Sequence, residues 1–105
     1  MDSDNVVSIR SILEYPSKFS GWLYLPSLPW NLETNGVFAP YTKDADENNV
    51  PEVASRHGWN ITLDSDAIED IVTNTSAQIE NPTIDQLFEA FVFYYNNDAF
   101  IDWFR

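Results

Sequence analysis

The chain has 105 residues, with 17 acidic against 5 basic side chains and a formal net charge of −12 at pH 7. This length predicts a single domain over residues 1–105, and the 44% hydrophobic content is typical of a folded domain, not of a disordered acidic tail. The charge argues against direct binding to nucleic acid or to anionic membranes, because both need a basic surface. Cysteine is absent, which excludes disulfides, a thiolate nucleophile and Cys-ligated zinc.

No targeting pattern is visible in the sequence. The stretch Met1 to Asn5 is acidic where a secretory signal is basic. The longest apolar run, Phe91 to Tyr95, is far shorter than a membrane span. The sequence therefore predicts a cytoplasmic location, in a bacterial or virus-infected cell.

The first half of the chain predicts helices and short strands. Apolar residues at helical spacing over 6–15 indicate a helix that Ser8 caps and Pro16 ends. A second, shorter helix is predicted over 52–57, stopped by Gly58. Aromatic-rich or alternating stretches predict three strands, at 21–25, 36–39 and 59–63.

The second half predicts two longer helices. Asp64 is suited to cap the first, and Thr83 with Gln86 forms a capping-box pattern that starts the second. A last helical turn is predicted after Asp98. The order of elements predicts an α+β fold, a short antiparallel sheet of about three strands with helices packed on one face.

Patterns for catalysis and metal binding are weak. The single histidine, His57, is a candidate general base, but we favour its interpretation as a cation at a helix C-terminus, where it is favourable to the helix dipole. Asp44, Asp46 and Asn48 match the first three ligand positions of an EF-hand loop, whereas Asn49 stands where glycine is required. We predict a solvated acidic loop there, and no catalytic residue, metal site or cofactor.

Net negative charge is concentrated in the second half of the chain, because nearly all of that half lacks lysine and arginine. Between His57 and Phe104 there are nine acidic residues and neither lysine nor arginine. Carboxylates at i and i+4 on a helix share one face about 6 Å apart along the axis. Such pairs cost a few tenths of a kcal/mol, so stability does not explain them. Three pairs have this spacing: Asp66/Asp70, Asp85/Glu89 and Asp98/Asp102.

This concentration has two interpretations, a surface charged for solubility or an acidic face that binds a cationic partner, and we predict the second. The aromatic residues also divide between two predicted roles. Tyr94, Tyr95 and Trp103 lie among the acids, as in a protein-binding patch, although packing of the C-terminus on the sheet explains them as well. The predicted core aromatics are Trp22, Trp59, Phe88 and Phe91.

Three segments carry a resemblance to a known family. Phe19 to Pro26, Pro29-Trp30 and Asn97 to Asp102 resemble a family of small acidic uncharacterised bacterial proteins. These motifs bring no assigned catalytic residues. In size, charge and predicted compartment the chain is also similar to immunity proteins, which neutralise toxins delivered by neighbouring bacteria.

The leading functional prediction is an acidic protein-binding inhibitor, an immunity protein that covers the basic active site of a nuclease-type toxin. The alternative is a phage-encoded nucleic-acid mimic that inhibits a host defence complex of the anti-restriction or anti-CRISPR type. An enzyme with a carboxylate site is a third, disfavoured interpretation. The predicted partner is a basic protein, and neither nucleic acid nor a membrane.

Overall fold

The computed structural model describes residues 6–39 and 52–104. Within them, four strands form one antiparallel sheet in the order β1-β3-β2-β4. The predicted fold class is confirmed, with one strand more than the three expected. The strands are β1 (Val7–Ser8), β2 (Trp22–Leu25), β3 (Asn35–Ala39) and β4 (Asn60–Asp64).

Alternation along the strands gives the sheet two different faces. Leu23 pairs with Phe38 on one face, while Tyr24 pairs with Val37 on the other. At Gly36 a side chain has no room, because a Cβ there would lie 2.6 Å from Leu25 Cδ2 and 2.7 Å from the Tyr24 carbonyl oxygen. The close approach of β2 and β3 therefore requires glycine at this position.

The four helices are α1 (Ile9–Glu14), α2 (Glu52–His57), α3 (Ser65–Gln78) and α4 (Ile84–Asn97), and a 3₁₀ turn at Pro16–Lys18 follows α1. Helices α1, α3 and α4 bury their apolar stripes against the sheet face that carries Leu23 and Leu25. The short α2 uses Val53 and Ala54 to contact Val37 on the opposite face. This placement refines the prediction that the helices lie on one face.

Local capping signals explain where the helices start. The Ser8 hydroxyl accepts a hydrogen bond from the Ser11 N–H, and the Asp64 carboxylate accepts one from Ala67 N–H at 3.0 Å. Thr83 and Gln86 form both halves of a capping box. All three predicted caps are confirmed.

The prediction of a last helical turn after Asp98 is wrong. Asp98 adopts the left-handed conformation (φ 56°) and ends α4, its N–H donating to the Tyr94 carbonyl. The segment 99–104 is not helical and is held by Gln78. The Gln78 side chain donates to the Ile101 carbonyl at 2.9 Å and accepts from the Trp103 N–H at 3.0 Å.

The predicted core aromatics are only partly correct. Phe91 is fully buried, but Trp22 is 36% exposed, and Trp59 and Phe88 are half-buried. Trp22 lies on the sheet face that carries Tyr24, which helices α1, α3 and α4 leave uncovered. The large core indole is Trp30, whose N–H donates to the Pro26 carbonyl at 2.7 Å.

Candidate functional site

The six acidic residues predicted to bind a partner are all exposed: Asp66, Asp70, Asp85, Glu89, Asp98 and Asp102. We call these six residues the acidic surface. Two of the three predicted i, i+4 pairs lie on helices, Asp66/Asp70 on α3 and Asp85/Glu89 on α4. Their side chains are therefore held by regular backbone, which limits the entropy lost when a partner binds.

The third pair does not lie on a helix face, which corrects the prediction. Asp98 is the left-handed residue that ends α4, and the Asp102 carboxylate accepts a hydrogen bond from the Phe104 N–H at 3.2 Å. The helical spacing at Asp98 and Asp102 is thus a coincidence of sequence. Asp98 lies at the end of α4, and Asp102 lies in the non-helical segment 99–104.

One member of the acidic surface lies near a cation from the first half of the chain. The guanidinium of Arg10 donates to the Glu33 carboxylate from Nε at 3.0 Å and from Nη2 at 2.8 Å. This hydrogen bonding to Glu33 raises the pKa of Arg10, and the negative charges of Glu14 and Asp85 act in the same direction. The absence of lysine and arginine from 57–104 therefore does not isolate Asp85 from positive charge.

A groove opens between the connection of β2 to β3 and helix α4. Its volume is about 530 Å³. We call it the α4 groove and define it by its lining residues: Leu28, Pro29, Trp30, Phe88, Glu89, Val92, Phe93, Asn96 and Asn97. Its walls are mostly apolar, and polar side chains stand at intervals among them.

The groove and the acidic surface share a row of α4. Residues four apart on a helix stand one above the other, so Asp85, Glu89, Phe93 and Asn97 form one stripe. The first two are exposed members of the acidic surface, and the last three line the groove. Glu89 therefore belongs to both features.

The three predicted aromatic residues take different positions. Tyr95 is 37% exposed and packs on Trp30 with ring centroids 4.9 Å apart, which places it beside the groove. The Tyr94 ring packs on the Phe100 ring with centroids 5.2 Å apart, and the Trp103 backbone N–H donates a hydrogen bond to the Gln78 side chain. Tyr94 and Trp103 thus hold the C-terminal segment against helices α3 and α4, whereas the alternative left open by the sequence was packing on the sheet.

Sequence reasoning missed the groove itself. A signal for it was present, because α4 carries more apolar side chains than its core stripe needs. Leu87, Ala90 and Phe91 are buried in the core, whereas Phe88, Val92 and Phe93 form a second stripe that is only half-buried. The other wall, with an exposed Leu28 beside Pro29, has no periodic signal of its own.

The sequence candidates for catalysis and metal binding are His57 and the stretch of Asp44, Asp46 and Asn48. Among them, no group of three or more histidine, aspartate or glutamate side chains is placed to hold a metal ion. His57 is exposed at the end of α2 and stacks on Trp59, with ring centroids 5.3 Å apart. The loop of Asp44, Asp46 and Asn48 lies outside the described residues.

Fold and site together define a small α+β domain with an acidic helical surface next to an apolar groove. The chain belongs to the family described as Domain of unknown function (DUF7716), whose model matches residues 6–103. No curated protein and no solved structure matches the chain. In the part of the chain that the structure describes, no helix is both long and apolar enough to cross a membrane.

Proposed function

We propose that this protein is an acidic inhibitor that binds a basic protein, most specifically an immunity protein that covers the active site of a nuclease-type toxin. The observation that carries the proposal is the distribution of charge. Residues 1–56 have eight acidic and four basic side chains, a formal charge of −4 in which both signs are present. Residues 57–104 have nine acidic side chains and no lysine or arginine.

Uneven charge of this kind supports binding over solubility. A surface that is charged only for solubility can have acidic and basic side chains interspersed, and they need not be segregated to different regions. A single-sign region, in contrast, attracts an oppositely charged partner over a Debye length of about 8 Å at physiological ionic strength. A nuclease presents lysine and arginine to phosphates, so its active-site groove complements such a region.

The arrangement also supports a second candidate, a nucleic-acid mimic that occupies the groove of a defence complex. Asp66/Asp70 and Asp85/Glu89 are exposed carboxylate pairs at helical spacing, about 6 Å apart along the axis. Such rows can stand in for phosphates. The loss of the third pair from helical structure shortens the rows, so the immunity function stays the leading proposal.

The test is capture of the partner followed by an inhibition assay. The full chain, tagged, is incubated with an extract of the source cell, and the retained protein is identified and purified. We expect a basic nuclease whose activity the chain inhibits at a one-to-one ratio, with an affinity that falls steeply as salt rises. A partner that is not basic, or an affinity that does not depend on salt, would contradict the proposal.

Two variants with the same change in net charge separate local from global electrostatics. Replacing Asp66, Asp70 and Glu89 by Asn or Gln should slow association on the order of tenfold at low salt. The control neutralises Asp44, Asp46 and Glu47, which the sequence predicts to lie in a loop, and should slow association much less. If the loop variant loses binding and the helical variant keeps it, the acidic surface is not the interface.

A further inference from the structure

The α4 groove has room for more than one side chain of a partner. Its volume of about 530 Å³ lies within the usual range of ligand sites, about 300–1,000 Å³. Leu28 at its lip is 44% exposed, although it is a large aliphatic side chain. The half-buried Phe88, Val92 and Phe93 form the facing wall. An apolar group placed here would bury surface that is otherwise in contact with water.

The negative charge at the groove disfavours apolar ligands that are themselves anionic. The described residues that line it include one carboxylate, Glu89, and no cation. Asp85 lies one helical turn away on the same stripe of α4. An apolar anion would therefore be repelled. A second copy of this chain, itself carrying a net charge of −12, would be repelled as well.

We infer that the α4 groove binds an apolar side chain of the basic partner, presented on a segment where lysine or arginine stands next to leucine, methionine or an aromatic residue. The basic side chain pairs with Glu89, and the apolar side chain packs between Leu28 and Phe93. This inference rests on the proposed function and adds the chemistry of the partner's segment. Asn96 at the rim supplies an amide group for its backbone, whereas the Asn97 side-chain amide already donates to the Phe93 carbonyl at 3.0 Å.

The combination assigns different tasks to the two features. The exposed carboxylates attract the partner from a distance but add little affinity each, because water and salt screen them. Apolar burial in the groove is not screened and slows dissociation. Specificity for one partner among many basic proteins would therefore depend on the groove, and the rate of encounter on the acidic surface.

Two synthetic peptides of equal charge test the inference on the full chain. The first has the sequence Lys-Leu-Leu-Lys-Lys-Leu-Leu-Lys, and the second replaces each leucine by serine, both with blocked ends. We expect the leucine peptide to bind at least about tenfold more tightly at physiological salt. In amide-resolved NMR it should shift the resonances of Leu28, Trp30 and Phe93.

Variants locate the two contributions. Leu28→Ser should remove most of the preference for the leucine peptide and leave the affinity for the serine peptide unchanged. Glu89→Gln should weaken both peptides. The matched control is Ile61→Ser on β4, which removes an apolar side chain that is 49% exposed elsewhere on the surface and should change neither affinity. Melting curves verify that each variant is folded.

Several outcomes would overturn the inference. Equal affinity for the two peptides, or shifts that map away from the groove, would leave the acidic inhibitor standing and remove the groove from it. Equally tight binding of a peptide with glutamate in place of lysine would make the groove a purely apolar site. If neither cationic peptide binds at low salt, both the inference and the proposed function fail.

Discussion

Two parts of this domain, residues 6–39 and residues 57–104, differ in their balance of acidic and basic side chains. In residues 6–39 two acidic and two basic side chains balance. Arg10 is bound to Glu33, and the Lys18 ammonium lies 4.8 Å from the centre of the Tyr15 ring. In residues 57–104 nine acidic side chains have no basic residue among them. Over the full sequence, residues 1–56 carry eight acidic and four basic side chains, so acidic side chains outnumber basic ones both before and after His57, but only residues 57–104 lack lysine and arginine altogether.

The two parts nevertheless share one core. Phe91 of the acidic part packs on Trp30 of the neutral part, with ring centroids 5.7 Å apart. Leu23, Leu25, Ile68 and Ile71 belong to the same buried cluster. The α4 groove lies along this junction, with Leu28 to Trp30 on one side and α4 on the other. The difference between the parts is therefore a property of the surface alone.

The largest expected effect comes from breaking the shared core. Phe91→Ala removes a fully buried ring and should lower the free energy of unfolding by about 3–5 kcal/mol. Because the core is common, circular dichroism and tryptophan fluorescence should agree on a single transition in each protein, with a lower midpoint in the variant than in the native chain.

Phe104→Ala is the matched control, since that ring is 72% exposed and its removal should change the free energy of unfolding by less than about 0.5 kcal/mol. Separate transitions for the two probes would mean that the neutral and acidic parts are independent units. Equal losses for the two phenylalanine variants would contradict the assigned core.

A smaller effect is expected where the acidic part holds its own C-terminal segment. Gln78→Ala removes the amide that bonds Ile101 and Trp103, and should lower the free energy of unfolding by about 1–3 kcal/mol. Hydrogen exchange at the Trp103 amide should become faster. Gln78→Glu keeps an acceptor for that amide and should protect it in part. Unchanged exchange in Gln78→Ala would show that the segment is held by its apolar contacts.

How much the sequence predicts depends on how far apart the interacting residues lie. The caps at Ser8, Asp64 and Thr83 were predictable because each involves a hydrogen bond to a residue three positions away. Three of the four strands were predictable for a similar reason, since alternation is a local pattern. Strand β1 was not, because its two residues, Val7 and Ser8, lie within the stretch 6–15 that was predicted to be helical. The turn after Asp98 was not, because its conformation is coupled to Gln78, more than twenty positions earlier.

The candidate site was predictable only in part. Exposure of the acidic residues follows from their chemistry, and all six are exposed. The groove is lined by both Leu28 and Phe93, and no local sequence pattern in either segment predicts that the two lie close together. The charge near Asp85 likewise depends on Arg10, which belongs to a different helix. Long-range placement of this kind needs the fold.

Arg10 places a positive charge near the acidic part and so limits the separation of charge between the two parts. Its guanidinium stays protonated over the usual range of pH, so this effect does not depend on pH. Its pKa is raised by the Glu33 carboxylate, so in the folded protein the guanidinium keeps its proton to a higher pH than in the unfolded chain. The stabilisation from the pair is complete below the unfolded pKa and is lost only as pH rises through the folded value. The guanidinium therefore keeps its positive charge at neutral and moderately alkaline pH.

The smallest expected effect is a change in association rate caused by Arg10→Gln. Losing this cation removes positive charge near Asp85 and should modestly speed association with the serine-containing basic peptide, as measured by stopped flow at low salt. The melting temperature should hardly change, because the ion pair with Glu33 is exposed. Lys18→Gln makes the same change in net charge away from Asp85 and should speed association less. Equal acceleration by both variants would mean that net charge, and not its placement, governs the encounter.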